Sequence, residues 1–223
     1  MGQILATIFT KANFLFMMQG LGLTIVIALC SIILSLFFGT ILAMIRHFCN
    51  GKLAFLSWLA SAYTEFFRCT PNVLWILWIR FTMKGDPLVK AIFAITLFTT
   101  AVTAEIVRGG LNGIPKGQFE GAASQGFSFW QTMFYIVLPQ TYKSIIPAML
   151  SQVITVIKDT SFLKAVDIAE FMRNCSIVMA PLRTPAEIIT LYGFIALTYF
   201  VICFALSCTV RYYQKRIQSG VAR

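Results

Sequence analysis

Charged side chains are scarce in this sequence. Only 12% of its 223 residues are Asp, Glu, Lys or Arg, and 58% are apolar, whereas a soluble domain carries about a quarter charged residues. Several uncharged stretches approach the length of about 20 residues that a helix needs to cross a bilayer. The sequence therefore predicts an all-α polytopic membrane protein that forms a single domain over residues 1–223.

Residues that hold metals or carry out catalysis are also scarce. The chain has one histidine, His47, and its six cysteines form no CxxC pair, which disfavours a metal site and a disulfide framework. It lacks paired carboxylates at a useful spacing and a nucleophile elbow, so a membrane enzyme is disfavoured. The glycine-rich stretch 108–113 lacks the Lys and the Ser/Thr of a phosphate-binding GxxxxGK[ST] loop. We therefore expect no catalytic residue, metal or cofactor in this chain.

The apolar stretches predict five membrane spans. They lie near residues 21–44, 52–80, 88–107, 141–157 and 188–210. Glu65 and Arg68 interrupt the second span three residues apart, which places them on one helix face where they can pair. Pro71 permits a bend in the same span.

The net charge of +10 is better explained by membrane topology than by nucleic-acid binding, because Lys and Arg collect in cytoplasmic loops. With five spans, nine basic residues fall on one side and five on the other. The nine are Arg46, Lys52, Arg108, Lys116, Lys143, Arg211, Lys215, Arg216 and Arg223. This count predicts an N-terminus outside and a C-terminus in the cytoplasm.

The segment between the third and fourth spans predicts two short helices at an angle. Pro115 suits the first position of one helix, and Gly126 suits the left-handed residue that ends it. Ser128 and Gln131 have the spacing of a capping box at the start of the second helix. That helix is expected to finish before Pro139.

The first of these helices carries small residues among aromatic ones. Gly121, Ala122 and Ala123 allow another backbone to approach closely, and the surrounding aromatics are Phe119, Phe127, Phe129 and Trp130. This pattern is typical of a helix that docks in a groove of another protein. It is equally typical of an amphipathic helix that lies on lipid headgroups.

The same segment resembles the EAA motif of ABC importer permeases, E-A-A-x3-G-x9-I-x-L-P. The matching residues are Glu120-Gly121-Ala122, Gly126 and Ile136 to Pro139, with Gly121 in place of the first Ala. Further stretches resemble the polar amino acid branch, also called the His/Glu/Gln/Arg/opine group. They are residues 19–24, 65–71, 105–110, 114–118 and 158–162; Cys69 stands where that branch usually has Gly, and Phe162 where it has Leu.

The resemblance implies a type I, MetI-like importer permease in a bacterial plasma membrane, with a core at about residues 19–212. It implies a second permease subunit, identical or related, an external substrate-binding protein and an amino-acid substrate. ATP and Mg would be bound by a pair of ATPase subunits. The segment at about 114–139 would couple to them through Glu120, Gly121, Ala122, Ala123 and Gly126.

Asp159 is the sequence's candidate for substrate contact. A charge inside a membrane costs about 2.5–3.5 kcal/mol on insertion scales and so has a partner or a role. With a span that starts near Thr141, Asp159 lies about 27 Å along it, towards the outside. We expect it to bind the substrate's amino group, with Thr160 and Ser161 offering hydrogen bonds. The alternative is a structural ion pair of Asp159 with Lys158 or Arg68.

Other charged residues are expected to be structural or solvated. Glu65 and Arg68 are included in the substrate pathway, although a pair that only stabilises the bundle is favoured for them. Glu105 and Arg108 are expected to pair near the cytoplasmic face, with a gate or an ATPase contact as the alternative. Lys164, Asp167 and Glu170 are expected to be solvated in an external loop before the fifth span, with contact to the binding protein as the alternative.

The main alternative function is a channel or secondary carrier that works without an ATPase. It would need its own coupling-ion site or selectivity filter, and the sequence offers no candidate for either. The residues do not name the substrate, since acidic, basic and neutral polar amino acids all remain compatible with them.

Overall fold

The computed structural model describes residues 2–49 and 51–221, with the side chains of 5–49, 51 and 53–214. Four of the nine basic residues counted on the predicted cytoplasmic side have side chains that lie outside the described ranges: Lys52, Lys215, Arg216 and Arg223. The described part of the chain forms ten α-helices and no strand: α1 Gly2–Ile8, α2 Lys11–Phe48, α3 Ala54–Cys69, α4 Asn72–Thr82, α5 Pro87–Asn112, α6 Lys116–Ser124, α7 Phe129–Thr132, α8 Leu138–Asp159, α9 Phe171–Met179 and α10 Pro185–Val221. The predicted all-α class is confirmed.

Each predicted span coincides with one helix or with a pair of helices. Among the described residues, α2, α5 and the part of α10 at Pro185–Gln214 are long and apolar enough to cross a membrane. The fourth predicted span corresponds to α8, which begins three residues before Thr141, and the second corresponds to α3 and α4.

The long helices α2 and α5 form the centre of the bundle. Small side chains let their backbones approach closely: a Cβ added at Gly39 would lie 3.0 Å from the backbone nitrogen of Ala104. The hydroxyl of Ser31 donates to the carbonyl oxygen of Ile92 at 3.2 Å. This pair is the frame against which α3, α4, α8 and α9 pack.

The second span is broken at Pro71 rather than bent. α3 ends at Cys69 and α4 begins at Asn72, with the intervening backbone extended. Pro disfavours the helical conformation of the residue before it, here Thr70. The Thr70 hydroxyl donates to the carbonyl of Phe66 at 2.8 Å and accepts from the indole nitrogen of Trp75, also at 2.8 Å.

The predicted external loop before the fifth span is largely helical. A 3₁₀ helix spans Thr160–Val166, and α9 follows it. Glu170 is not solvated, as the sequence predicted, but fully buried at the N-terminus of α9. Its carboxylate accepts from the backbone amides of Met172 and Arg173 and from the hydroxyl of Thr24 on α2. The prediction failed because the contact with α2 bridges 146 residues of sequence.

Gly20 is where α2 packs against α9, and it offers a direct test of that packing. A Cβ at Gly20 would lie 2.8 Å from the carbonyl oxygen of Glu170, whereas a Cβ at Gly22 would meet nothing within 4 Å. We expect Gly20→Ala to lower the melting temperature of the purified protein, because forced overpacking costs about 1–3 kcal/mol. Gly22→Ala is the matched control on the same helix, expected to leave that temperature unchanged or raise it slightly. Equal melting temperatures for the two variants would contradict the close packing.

Candidate functional site

The segment between α5 and α8 projects from the bundle. In the stretch 116–131, only Ala122 is buried and only Phe119 is partly buried. The rings of Phe119 and Phe129 lie 6.3 and 5.2 Å from that of Phe48 on α2, measured between centroids. These contacts fix the base of the segment and leave most of α6 uncovered.

The caps of this segment follow local sequence chemistry. Gly126 adopts φ of +76° after α6, and the amide of Phe127 donates to the carbonyl of Ala122 at 3.1 Å. Ser128 and Gln131 form the predicted capping box at the start of α7. Both predictions are confirmed. Pro115 is instead the N-cap of α6, one position earlier than predicted.

The second helix does not finish before Pro139, which corrects the sequence prediction. α7 passes through a π-helical turn, Met133–Val137, directly into α8. Pro139 lies in the first turn of α8. A π turn shifts the backbone pairing by one residue, and proline has no amide hydrogen to pair. The segment therefore has one free-standing helix, α6, and a second helix continuous with a span.

The motif residues divide into an outer group and a buried one. Glu120, Gly121 and Ala123 are exposed, and Ala122 lies underneath them. A Cβ at Gly121 would meet nothing within 4 Å, so alanine fits there. The Glu120 carboxylate has no hydrogen bond or ion pair among the described residues. The outer face thus offers one free negative charge beside small side chains.

Asp159 lies where two helix ends meet. It is the last residue of α8, and its carboxylate accepts from the side-chain amide of Asn72, the first residue of α4, at 3.2 Å. α4 has no side-chain cap at Pro71, and the first amides of a helix carry partial positive charge. The Asp159 carboxylate therefore lies at the N-terminal end of α4, where no side chain caps the first amides.

The residues around Asp159 depart from the sequence predictions. Within the described chain, neither Lys158 nor Arg68 forms an ion pair with Asp159. The Thr160 hydroxyl is fully buried and donates to the carbonyl of Ile157 at 2.8 Å, so it stabilises the end of α8. Ser161 is partly exposed.

A charge cluster connects α2, α3 and α5 around Glu105. The Arg46 guanidinium on α2 bonds one carboxylate oxygen, and Arg108 bonds the other at 2.7 Å, which confirms the predicted Glu105–Arg108 pair. Arg68 lies 3.5 Å from Glu65 and 3.9 Å from Glu105, so the predicted Glu65–Arg68 pair is also present. Glu105 borders a cleft of about 400 Å³ between α5 and α8.

Sequence reasoning missed two of these features. Burial raises the pKa of the Glu170 carboxyl to about 7, although the hydrogen bonds that the carboxylate accepts lower it. The charge of Glu170 therefore changes near neutral pH. Nothing in the sequence distinguishes Glu170 from neighbouring solvated charges. The partnership of Asp159 with Asn72 was missed too, because 87 residues separate them.

Comparison with known proteins places the chain in a family. The family described as "Binding-protein-dependent transport system inner membrane component" matches residues 35–219. The probable glutamine ABC transporter permease protein GlnP of Bacillus subtilis is 34% identical over 91% of this chain and 94% of its own. The glutamate/aspartate import permease protein GltK of Escherichia coli is 31% identical over 90% and 93%. The L-cystine transport system permease protein TcyB of Bacillus subtilis is 32% identical over 86% and 83%.

Solved structures share the fold. A crystal structure of an amino acid ABC transporter with histidines matches with a TM-score of 0.78 and 24% identity, covering 92% of this chain and 96% of its own. The methionine ABC transporter MetNI in an inward-facing conformation matches with a TM-score of 0.76 and 20% identity, covering 92% and 99%. The predicted MetI-like fold is confirmed. Together with the family match, these findings show that the chain belongs to the inner membrane components of binding-protein-dependent transport systems.

Proposed function

We propose that this chain is the permease subunit of an ATP-driven importer for polar amino acids. The observation that carries the proposal is the exposed helix α6, with Glu120, Gly121 and Ala123 uncovered. It lies on a chain whose family works in binding-protein-dependent transport. The relatives named for glutamine, glutamate/aspartate and cystine support the substrate class.

Energy enters from a partner in this proposal. The sequence has no phosphate-binding GxxxxGK[ST] loop, so ATP and Mg are bound and used by a separate pair of ATPase subunits, and this chain holds no cofactor. α6 docks in a groove of the ATPase, and its residues Glu120, Gly121 and Ala123 face that groove. Ala122 and Gly126 maintain the shape of the segment. Closure of the ATPase pair moves α6, and the helices rock between two states.

The substrate path runs past Asp159. The substrate's ammonium group binds the Asp159 carboxylate, and its α-carboxylate binds the uncapped amides at the start of α4. Discontinuous helices in transporters present such ends to charged substrate groups. Ser161 offers a further hydrogen bond, and Glu65 and Arg68 lie four to seven residues before Asn72 on the same path.

The remaining arrangement follows the charge count and the family. The N-terminus lies outside and the C-terminus in the cytoplasm, in a single permease domain over residues 1–223, with α6 on the cytoplasmic side. A second permease subunit completes the pathway, and an external binding protein delivers the substrate.

Reconstitution tests this function against a secondary carrier or channel. Vesicles that contain the chain with its ATPase and a loaded binding protein are expected to take up labelled amino acid only when ATP is present. Vesicles without the ATPase should show the background of empty vesicles, because α6 then has nothing to move it. Steady transport by the chain alone would instead favour the carrier.

A further inference from the structure

Arg68 lies between two carboxylates on two different helices. One of its terminal nitrogens, Nη1, is 3.5 Å from an oxygen of Glu65 on α3 and 3.9 Å from an oxygen of Glu105 on α5. The Arg68 guanidinium forms no hydrogen bond within the described part of the chain. It is therefore shared between two partners without being held closely by either.

The other arginines of the cluster are held much more tightly. Arg46 bonds Glu105 through one terminal nitrogen and donates through Nε to the hydroxyl of Ser61 at 3.0 Å. Arg108 makes two hydrogen bonds to Glu105, of 3.1 and 2.7 Å. Glu105 is thus fixed by two firm partners, and Arg68 is the member of the cluster that is free to exchange.

Arg68 also lies between the two places that transport has to connect. It is one turn before the break at Pro71, and the first residue after the break, Asn72, holds Asp159. Glu105 is seven residues before the end of α5 at Asn112, and α6 begins four residues later. Arg68 on α3, which two residues separate from α4 and its contact with Asp159, therefore also touches the helix that leads into α6.

We propose that Arg68 is a positioning residue that exchanges between Glu65 and Glu105 and so links substrate occupancy beside Asp159 to the movement of α6. This inference rests on the proposed function. When Arg68 pairs with Glu105, it adds a contact between the C-terminal end of α3 and α5, and when it pairs with Glu65 that contact is lost. The hydrogen bonds of Ser61 with Arg46 and of Tyr63 to the carbonyl of Leu97 keep the rest of α3 in place. The structure shows Arg68 between the two, 3.5 Å from Glu65 and 3.9 Å from Glu105, and the exchange moves it towards one carboxylate or the other.

The weakness of both contacts suits this role. The Arg68 side chain is 41% exposed in the single subunit, and an ion pair that faces a hydrated path is worth at most about fivefold in an equilibrium constant. A small difference in substrate contact therefore suffices to move Arg68 from one carboxylate to the other. A closely bonded, largely covered pair such as Arg46–Glu105, whose side chains are 12% and 18% exposed, would not exchange at this cost.

The experiment compares Arg68→Gln with Arg68→Lys in the reconstituted complex of permease, ATPase and binding protein. We measure the ratio of ATPase rates with loaded and empty binding protein, together with ATPase co-purification and melting temperature. Arg68→Gln is expected to lower the ratio about two- to fivefold, while co-purification and melting temperature stay unchanged. Arg68→Lys keeps the charge and is expected to restore at least part of the ratio. Arg183→Gln, an exposed arginine outside the cluster, is the control and should not change it.

Two results would overturn the inference. One is an unchanged ratio in Arg68→Gln. The other is a ratio that falls only together with the melting temperature or with ATPase co-purification, since that indicates a purely structural role. A wild-type complex without any stimulation by loaded binding protein would overturn the proposed function itself, which separates the two failures.

Discussion

Glu120→Lys is expected to abolish co-purification of the ATPase while the permease still inserts into the membrane. Glu120 is exposed on α6, and its carboxylate has no partner within the described chain, so loss of the carboxylate does not disturb the bundle. In a docked complex the carboxylate is desolvated against the ATPase, and removal of one partner from such a pair costs about 2–5 kcal/mol. The lysine adds repulsion to that loss. Affinity should fall about 30-fold or more, measured by co-purification from membranes that contain equal amounts of permease.

A second variant and a control make this result specific. Ala123→Trp places a large side chain on the same outer face without changing charge, and it is expected to weaken docking as well. Gln214→Lys adds a positive charge to an exposed position of α10 and should leave the ATPase bound. Retention of the ATPase by both α6 variants would leave the lipid headgroups as the better explanation for this helix.

Asp159→Asn is expected to remove substrate-dependent uptake almost completely. The asparagine has the same shape and can still accept from Asn72, but it no longer carries the charge that binds an ammonium group. A hydrogen bond to a charged group contributes about 1.5–3 kcal/mol, so uptake at low substrate concentration should fall about tenfold or more. ATP-dependent uptake and ATPase stimulation by loaded binding protein are the measurements.

The control for Asp159 is available eight residues further along the chain. Asp167 is exposed and pairs with Arg173 at 2.8 Å, and that arginine holds the pKa of the Asp167 carboxyl below its ordinary value. Asp167→Asn therefore removes an equal charge outside the path and should leave uptake unchanged. Normal uptake and stimulation in Asp159→Asn would exclude Asp159 from substrate binding.

Local chemistry explains which parts of the fold the sequence predicts. Long apolar runs predict α2, α5 and α10, because crossing a bilayer requires that length and composition. The capping box of Ser128 and Gln131, like the left-handed Gly126, depends only on neighbouring residues. The Glu65–Arg68 pair follows from helical spacing alone. All of these are decided within one or two turns of chain.

The remainder depends on contacts between distant segments. Asn72 meets Asp159, and Thr24 meets Glu170, only because the bundle brings separate helices together. The same holds for the three arginines around Glu105, of which only Arg108 is a sequence neighbour. The π turn before Pro139 was missed for another reason. Proline was assumed to end a helix, whereas a one-residue shift in the backbone hydrogen bonding lets the helix continue through Pro139.

The break between α3 and α4 constrains what surrounds it. Helix ends leave peptide groups without intrahelical partners, and hydrocarbon offers none, at a cost of several kcal/mol for each group. Acyl chains therefore cannot surround residues 70–72. This stretch of backbone has to border either other protein or a hydrated cavity, so it marks a side of the bundle that faces away from the lipid.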